Sequence, residues 1–503
     1  MARRKRVLLV TARRAEAAVR AAVAGMPGDG PDVEVRIAPR DVAALLIPDE
    51  VAPLLDGGEW DIVILPGLIR GDVAALASSA GVRVVKGPRY AFDLPSTLAE
   101  LDDLPLSPDE PADALLSRSR AERAGRLLKD AEAVDIKGPS HEVRGLRIGR
   151  GLPVRVLAEI DDCDARPTDE VVAKAQRFLD EGAEIIDLGF TVDATAIRAA
   201  EIVEAVLPLG APVSVDTLNP DIINAAVDAG VHMVLSLHPD NLDKVRPTDA
   251  VCVVVPGPGD KVQGVLSMAD RARARGFTRI VLDPVLDPPG FGLARSLAAY
   301  AHISGTSDLP VLMGVGNAVE LMDADSPGAN AMLCAIAHEL GVAVILTVEA
   351  SHKTRGTVRE CRAARDMMVV AGSLGTYPKD LGISLLGFKD KVRVRDPVGS
   401  DLTPEPQSDR SPDLEGGVAL SISVTTDDRI QCLVQRDGVD VCLVDGVSAR
   451  QVWSEVLARG LVRALDHVAY LGAELARAEI AIAAGKGYVQ DEPLFRRQRR
   501  HWE

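Results

Sequence analysis

Apolar residues along the chain fall into short continuous runs, most of them followed by stretches in which apolar residues recur at helical spacing. Between residues 154 and 347 there are eight such runs, at 154–160, 184–188, 213–215, 233–237, 251–255, 280–282, 311–313 and 342–347. Alanine-rich amphipathic stretches separate most of them, as at 169–181 and 221–230. Eight strand–helix repeats in about 225 residues match the strand count and size of a (β/α)₈ barrel. The pattern therefore predicts a central TIM barrel over residues 150–375.

The segment before the predicted barrel has a second α/β pattern. Its apolar runs lie at 5–11, 33–37, 60–65 and 82–85, and a helical stretch at 15–24 follows the first run. Strands that alternate with helices indicate a parallel sheet, so we predict an N-terminal α/β domain over residues 1–115. The charged residues 116–149 are predicted to form a helical connector.

The segment after the barrel, residues 376–503, begins with a stretch rich in Pro, Asp and Ser at 395–416, which is typical of an exposed linker. Three strands follow, at 419–425, 430–435 and 439–444, and Asp437-Gly438 is a hairpin signal between the last two. Helices are predicted at 448–459 and 463–484. This region is predicted to be a small α+β domain.

Composition narrows the range of partners. The chain has 57 Lys plus Arg against 74 Asp plus Glu, a net charge of −17, which argues against nucleic acid or an anionic membrane as partner. No apolar run approaches the roughly 20 residues of a membrane span, and we expect a cytoplasmic protein. The six cysteines are scattered without CxxC pairs, so neither a zinc site nor a disulfide framework is predicted. No glycine-rich phosphate motif follows the N-terminal strands, so we expect no nucleotide cofactor and interpret that domain as one for recognition or assembly.

Polar residues end several of the predicted barrel strands, where TIM barrels carry their active sites. These residues are Asp161, Asp187, Asp216, Asp283 and Asn317. Any single aspartate there could be only the N-cap of the following helix. Several carboxylates around one mouth would repel one another unless a ligand used them as acceptors. The pyrimidine edge of a pterin, which carries an amino group and ring N–H groups, meets that demand.

The segments EGAEIIDLGFTVDA and APVSVDTLNPDIINAAVDAGVHMVLSL resemble the pterin-binding family that contains dihydropteroate synthases and corrinoid-linked methyltetrahydrofolate methyltransferases. In that family the Asp of the SVDT strand and the Asp of the LDP strand hold the pterin, which implies this role for Asp216 and Asp283. The segment VLDPVLDPPGFGLARSL resembles the sixth strand and its Gly-Phe-Gly loop, which implies a substrate contact for Phe291.

Other positions depart from the synthase pattern. Asn317 stands where the synthases have Ser-Arg-Lys, and an Asn there is the methyltransferase pattern that contacts the reduced ring. Ser236 follows Leu235 where the synthases have the Asn of strand four, and we predict that Ser236 contacts the substrate. The strand-one Asn is replaced by the run 159–162, within which Asp161 is predicted to bind substrate and Mg²⁺.

The synthases end strand eight with Arg-x-His, which binds the pyrophosphate, whereas here cations come only later. They are His352, Lys353, Arg355 and Arg359. We predict Arg359 as a substrate contact and the other three as catalytic groups that stabilise the departing pyrophosphate together with Mg²⁺. The alternative is that these cations form a solvated helix start.

The runs MDADSPGANAMLCAIAHELGVAVILTVEASHKTRGTVRE and AYLGAELARAEIAIAAGKGYVQDEPLF resemble a divergent subgroup, the dihydropteroate synthase-like proteins of methanogens and methylotrophic bacteria. The resemblance implies tetrahydromethanopterin biosynthesis, a branch of one-carbon metabolism. A 6-hydroxymethyl-dihydropterin pyrophosphate would be joined to an aryl amine, ribofuranosylaminobenzene 5′-phosphate, with release of pyrophosphate. The resemblance also allows a homodimer, which is the common state of barrels in this family.

Two other functions remain open on the sequence. One is a tetrahydropterin-dependent methyltransferase, which Asn317 favours; the chain lacks the DxHxxG loop that binds cobalamin, so a partner protein would carry the corrinoid. The other is a pterin-binding protein without chemistry.

Overall fold

The structure is a computed structural model that describes residues 3–26, 30–387 and 416–495. The chain forms two compact units. The first consists of residues 1–137, 151–153 and 363–385, and the second of residues 138–150, 154–362 and 386–503. The predicted linker at 395–416 lies outside the described residues except for its last residue, and the predicted domain boundaries stay predictions.

The first unit contains a four-stranded parallel sheet. Its strands are β1 (Arg6–Ala12), β2 (Asp32–Ala38), β3 (Ile62–Leu65) and β4 (Arg83–Lys86), in the order β2-β1-β3-β4. Its helices are α1 (Glu16–Ala24), α2 (Pro48–Val51), α3 (Val73–Ala80), α4 (Leu94–Ala99) and α5 (Ala112–Glu132). The central strands β1 and β3 are continuous apolar runs, as expected for strands that pack against buried side chains on both faces of the sheet, whereas the edge strand β2 alternates polar and apolar residues.

The second unit contains a hairpin and eight parallel strands. The hairpin is β5 (Ser140–Val143) and β6 (Leu146–Gly149), and the barrel strands are β7 (Arg155–Ile160), β8 (Ile185–Gly189), β9 (Val213–Asp216), β10 (Met233–Leu237), β11 (Val251–Val254), β12 (Ile280–Leu282), β13 (Leu312–Gly314) and β14 (Val344–Val348). The order is β12-β11-β10-β9-β8-β7-β14-β13, and a parallel bridge between Leu282 and Val311 joins its two ends. The sheet is therefore closed into a barrel.

Helices follow seven of the eight strands. They are α6 (Thr168–Asp180), α7 (Ala196–Val206), α8 (Pro220–Ala229), α9 (Lys261–Ala274), α10 (Leu293–Thr306), α11 (Gly316–Val319), α12 (Ser326–Glu339) and α13 (Thr357–Leu374). The pair α11 and α12 follows β13. The connection from β10 to β11, which is described throughout, has no helix.

The hairpin β5–β6 corrects the prediction of a helical connector through residue 149, since only α5 is helical there. Arg144 and Gly145 both have positive φ, 47° and 81°, which gives the two-residue turn that suits a hairpin. Val143 and Ile148 then pack against inward residues of the barrel strands, such as Leu157. The hairpin thus covers the amino end of the barrel and leaves the carboxyl end for ligands.

The C-terminal part of the second unit is a three-stranded antiparallel sheet with two helices. The strands are β15 (Val418–Val424), β16 (Ile430–Arg436) and β17 (Val439–Gly446), and the helices are α14 (Ala449–Ala458) and α15 (Leu465–Ala483). Both helices pack on one face of the sheet.

The predicted fold class is confirmed: a TIM barrel with an N-terminal α/β sheet domain and a C-terminal α+β domain. All six cysteines are free thiols, and all except Cys442 are buried. No helix among the described residues is both long and apolar enough to cross a membrane.

Candidate functional site

Three neighbouring barrel strands bring carboxylates together at their carboxyl ends. Glu159 on β7 pairs in register with Asp187 on β8, and Asp216 ends β9. One carboxylate oxygen of each lies within 4.8 Å of the others. Gly189 allows this approach, because a Cβ there would lie 2.9 Å from Glu159 Oε1. We call Glu159, Asp187 and Asp216 the acidic cluster.

Burial and mutual repulsion favour the protonated form of the cluster. Burial, with the charges of Glu159 and Asp283, raises the pKa of Asp216 to about 8. Burial, with the charge of Asp161, raises the pKa of Glu159 to about 7. Burial and the charges of Asp216 and Glu159 raise the pKa of Asp187 well above its usual value. A ligand that brings hydrogen-bond donors or positive charge would be strongly favoured here.

Asp187 is the most enclosed member of the cluster. Its side chain is fully buried, and Oδ1 accepts a hydrogen bond from Ser214 Oγ. Its other oxygen, Oδ2, has no hydrogen-bond partner within the described part of the chain. Because a buried oxygen without a donor is costly, this atom is a ready acceptor for a ligand.

Asp283 follows β12 and is fixed by two donors. Its Oδ1 accepts from the Val285 N–H at 2.8 Å and from the Tyr300 hydroxyl at 2.6 Å. Burial raises the pKa of Asp283 to about 6, less than for Asp216, because these hydrogen bonds and the charge of Lys261 favour the carboxylate. Asp283 is also close enough to Asp216 to raise the pKa of that residue.

Asn317 lies beside the turn that follows Asp283. Its Nδ2 donates to the Leu286 carbonyl at 3.3 Å. Asn317 therefore lies beside the turn that begins at Asp283.

A cavity of about 440 Å³ opens beside the acidic cluster. It is lined by Glu159, Asp161, Asp162, Gly189, Phe190, Thr191, Val192, Asp216, Thr217, Leu218 and Asn219. Carboxylates form its floor, and the exposed side chains of Val192 and Leu218 form part of its rim. Such a mixture suits a flat, partly apolar ligand with polar edges.

Asp161, predicted to bind Mg²⁺, is paired with cations of the chain. Lys174 Nζ lies 2.9 Å and an Arg166 guanidinium nitrogen 3.1 Å from Asp161 Oδ1. Burial alone would raise the pKa of Asp161, but Lys174 and Arg166 hold it below its usual value. The carboxylates that lack such partners form the acidic cluster, and hard oxygen ligands of this kind suit Mg²⁺.

The predicted catalytic cations after β14 form other contacts. Lys353 Nζ lies 3.2 Å from Asp323, and Arg355 lies 2.7 Å from Asp428 in the turn between β15 and β16. His352 and Arg359 are exposed. None of these four cations is among the described residues that line the cavity.

The two remaining residues predicted to contact the substrate are Ser236 and Phe291. Ser236, half-buried on β10, accepts a hydrogen bond at its carbonyl from Asn241 Nδ2 at 3.0 Å. Phe291 is 81% exposed on the turn before α10 and does not line the cavity.

Sequence reasoning missed Glu159, Tyr300 and Lys261 as residues of the site. Glu159 could have been found, because it is the last inward position of a strand that ends at Ile160. Tyr300 and Lys261 lie on helices far from Asp283 in sequence, and no local pattern indicated their contact with its turn.

Family models match three parts of the chain. Residues 160–254 match the model described as "Pterin binding enzyme", residues 426–491 the model "PterinBD-DUF4346", and residues 5–89 a "Family of unknown function (DUF6513)". An uncharacterized protein of Methanocaldococcus jannaschii is 29% identical, in an alignment that covers 97% of this chain and 99% of that protein.

Solved structures with similarity to the chain include two dihydropteroate synthases. The Yersinia pestis enzyme with a pterine-sulfa conjugate is 22% identical with a TM-score of 0.36, over 47% of this chain and 100% of that one. The Burkholderia cenocepacia enzyme complexed with 7,8-dihydropteroate is 20% identical with a TM-score of 0.37, over 48% and 99%. The match over residues 160–254, which include Asp187 and Asp216, shows that this part of the barrel is similar to the pterin-binding enzymes.

Proposed function

We propose that this chain is a transferase that binds a reduced pterin through Asp216, Asp283 and Asn317. The observation that carries the proposal is the pair of partly buried aspartates at the ends of β9 and β12, close enough for one charge to raise the pKa of the other. The amino and N–H groups of a pterin edge would donate to both carboxylates, in addition to the two donors that Asp283 Oδ1 already has. Asn317 would contact the same ring from β13.

For the reaction, we propose condensation of 6-hydroxymethyl-dihydropterin pyrophosphate with ribofuranosylaminobenzene 5′-phosphate in tetrahydromethanopterin biosynthesis. The amine nitrogen forms a bond to the methylene carbon, the bond from that carbon to the bridging oxygen breaks, pyrophosphate departs, and the amine loses a proton. The resemblance of residues outside the barrel to the methanogen and methylotroph subgroup supports this choice of second substrate. Positioning of the amine is the main demand on the protein, because an aryl amine is a sufficient nucleophile.

Mg²⁺ is proposed as the partner of the pyrophosphate. The acidic cluster fits such an ion, because Glu159, Asp187 and Asp216 offer oxygens within 4.8 Å of one another and Asp187 Oδ2 has no donor in the described structure. When bound, the ion would neutralise charge on the leaving group. Asp161, which lines the cavity, would act beside it by holding Lys174 and Arg166 in ion pairs.

The decisive experiment measures pyrophosphate release from the pterin diphosphate with the aryl amine phosphate. We expect release with the wild type and none with Asp216→Ala combined with Asp283→Ala. Each single change should weaken pterin binding by roughly 1–3 kcal/mol, the cost of unpaired buried donors. Asp270→Ala, at a side chain that is 78% exposed, is the control. The site assignment fails if pterin binds the double variant with wild-type affinity.

A second candidate is methyl transfer from a methyl-tetrahydropterin to a corrinoid on a partner protein. One observation favours it: Lys353 and Arg355 are paired with Asp323 and Asp428, away from the cavity, whereas a pyrophosphate needs cations. Methyl transfer to an added corrinoid protein, without pyrophosphate release, would establish this function. Pterin binding without either activity would indicate a binding protein.

A further inference from the structure

Lys261 has an unusual place for a cation. It is the first residue of α9, where the helix dipole disfavours positive charge. Asp260 already caps this helix, since its side chain accepts from the Gln263 N–H at 3.0 Å. The Lys261 side chain is only 27% exposed. The helix itself therefore gives no reason for this residue.

The Lys261 ammonium contacts the turn that follows β12. Its Nζ donates to the Val285 carbonyl at 2.7 Å and to Asp287 Oδ1 at 2.6 Å. Asp287 is fixed in turn, because its N–H donates to Ser296 Oγ at 3.0 Å. Gly292 leaves space for it, since a Cβ there would lie 2.8 Å from Asp287 Oδ2. Lys261 thus holds both ends of the segment 285–287.

The turn holds Val285 in a costly conformation. Its φ is +65°, in the left-handed region that β-branched residues rarely adopt. This conformation coincides with the hydrogen bond from the Val285 N–H to Asp283 Oδ1, and the Val285 carbonyl accepts from Lys261. A single strained residue therefore links the ammonium to the carboxylate.

We propose that Lys261 is a positioning residue for pterin binding: it holds the 283–287 turn so that Asp283 presents a fixed, ionised carboxylate to the ring. The inference rests on the proposed function. The titratable groups that face Asp283 are the Tyr300 hydroxyl from α10, Lys261 from α9 and Asp216 from β9, with Asp287 beyond the ammonium. Lys261 is the cation of this set and opposes the effect of burial on the pKa of Asp283.

The test is the pH dependence of 6-hydroxymethyl-7,8-dihydropterin binding to the full chain, by calorimetry between pH 5.5 and 8.5. Lys261→Met removes both charge and donor, Lys261→Gln keeps a donor without charge, and Lys261→Arg keeps both. Without the charge, the pKa of Asp283 rises, so the ionised acceptor forms only at higher pH. If loss of the charge raises the pKa of Asp283 from about 6 by about one unit, the ionised fraction falls roughly threefold near pH 6.5 and roughly eightfold at pH 5.5. We expect Lys261→Met and Lys261→Gln to lose pterin affinity by these factors and to recover it above pH 8. Lys261→Arg should stay within about 1.5-fold of wild type throughout this range.

Lys244→Met, at an exposed lysine of the β10–β11 connection, is the matched control and should bind as the wild type does. Should Lys261→Met fail to fold by circular dichroism, Lys261→Gln decides the question. The inference is overturned if both variants bind with the wild-type affinity and pH profile, since the lysine would then be only a surface anchor. Failure of the wild type to bind the pterin would instead overturn the proposed function.

Discussion

Glu159 lies among other carboxylates, and we expect their mutual repulsion to make the stability of the protein depend on pH. Its pKa of about 7 and that of Asp216, about 8, are above their values in an unfolded chain, so the folded state binds more protons. Their stabilising effect is therefore complete at low pH and is lost as pH rises through these folded values. The ligand-free protein should accordingly become less stable between pH 5 and pH 8.5.

Glu159→Gln tests this, because it removes one charge from the cluster. We expect the variant to lose on the order of 2 kcal/mol less than the wild type between pH 5.5 and 8.5, measured by urea unfolding. Glu170→Gln, at an exposed position on α6, should keep the wild-type slope. Equal slopes in Glu159→Gln and wild type would mean that the cluster is not proton-linked.

Gly189 allows the cluster to form, and a methyl group there should disturb it. In Gly189→Ala the added Cβ would lie 2.9 Å from Glu159 Oε1 and displace it. We expect Mn²⁺, used as a probe for Mg²⁺, to bind at least tenfold more weakly by paramagnetic resonance, at a stability cost of about 1 kcal/mol. Gly305→Ala is the control, since a Cβ there meets nothing within 4 Å. Unchanged Mn²⁺ affinity would place the ion elsewhere.

At the scale of elements, the hairpin β5–β6 is predicted to stabilise the barrel without affecting ligands. Ile148 is fully buried against the inward barrel residues. Ile148→Ala should therefore cost about 2–5 kcal/mol in urea unfolding and leave pterin affinity unchanged. Ile197→Ala, at a side chain that is 77% exposed, should cost less than about 0.5 kcal/mol. A change in pterin affinity in Ile148→Ala would show that the hairpin also shapes the mouth.

The barrel strands could be predicted because parallel strands buried on both faces are continuous apolar runs. The run at 342–347, for example, corresponds to Val344–Val348. The hairpin β5–β6 could not be predicted in this way. Its strands are four residues each, and its turn lies in a charged segment where Arg144 shows no turn preference. Local pattern identified Asp216 and Asp283 at strand ends, and the alternation of β7, which ends at Ile160, would also have identified Glu159 as its last inward residue. The contact of Lys261 with Val285 depends on tertiary packing alone.

At the scale of the whole second unit, an ion pair joins the loop after β14 to the turn between β15 and β16. Arg355 lies 2.7 Å from Asp428, and both side chains are almost half exposed. Such pairs contribute about 0–1 kcal/mol. Arg355→Ala and Asp428→Ala should therefore lower stability by less than about 1 kcal/mol each.

Activity separates a structural role of this pair from a catalytic role of Arg355. If Arg355 reaches the pyrophosphate, as the sequence predicts, Arg355→Ala should lower pyrophosphate release at least tenfold. Asp428→Ala leaves the guanidinium of Arg355 in place, so this variant should keep the wild-type rate of pyrophosphate release. Equal activities in both variants would show that Arg355 has no part in the chemistry.

The hairpin that covers the amino end of the barrel also constrains kinetics. With Val143 and Ile148 packed against the inward residues, both substrates and both products must pass through the carboxyl end. In the proposed reaction, a pterin ring held by Asp216 and Asp283 at the strand ends would lie below the amine, so the pterin would enter before the amine and the conjugate would leave after pyrophosphate. Condensation should therefore follow an ordered mechanism, in which the conjugate competes with the pterin substrate but not with the amine.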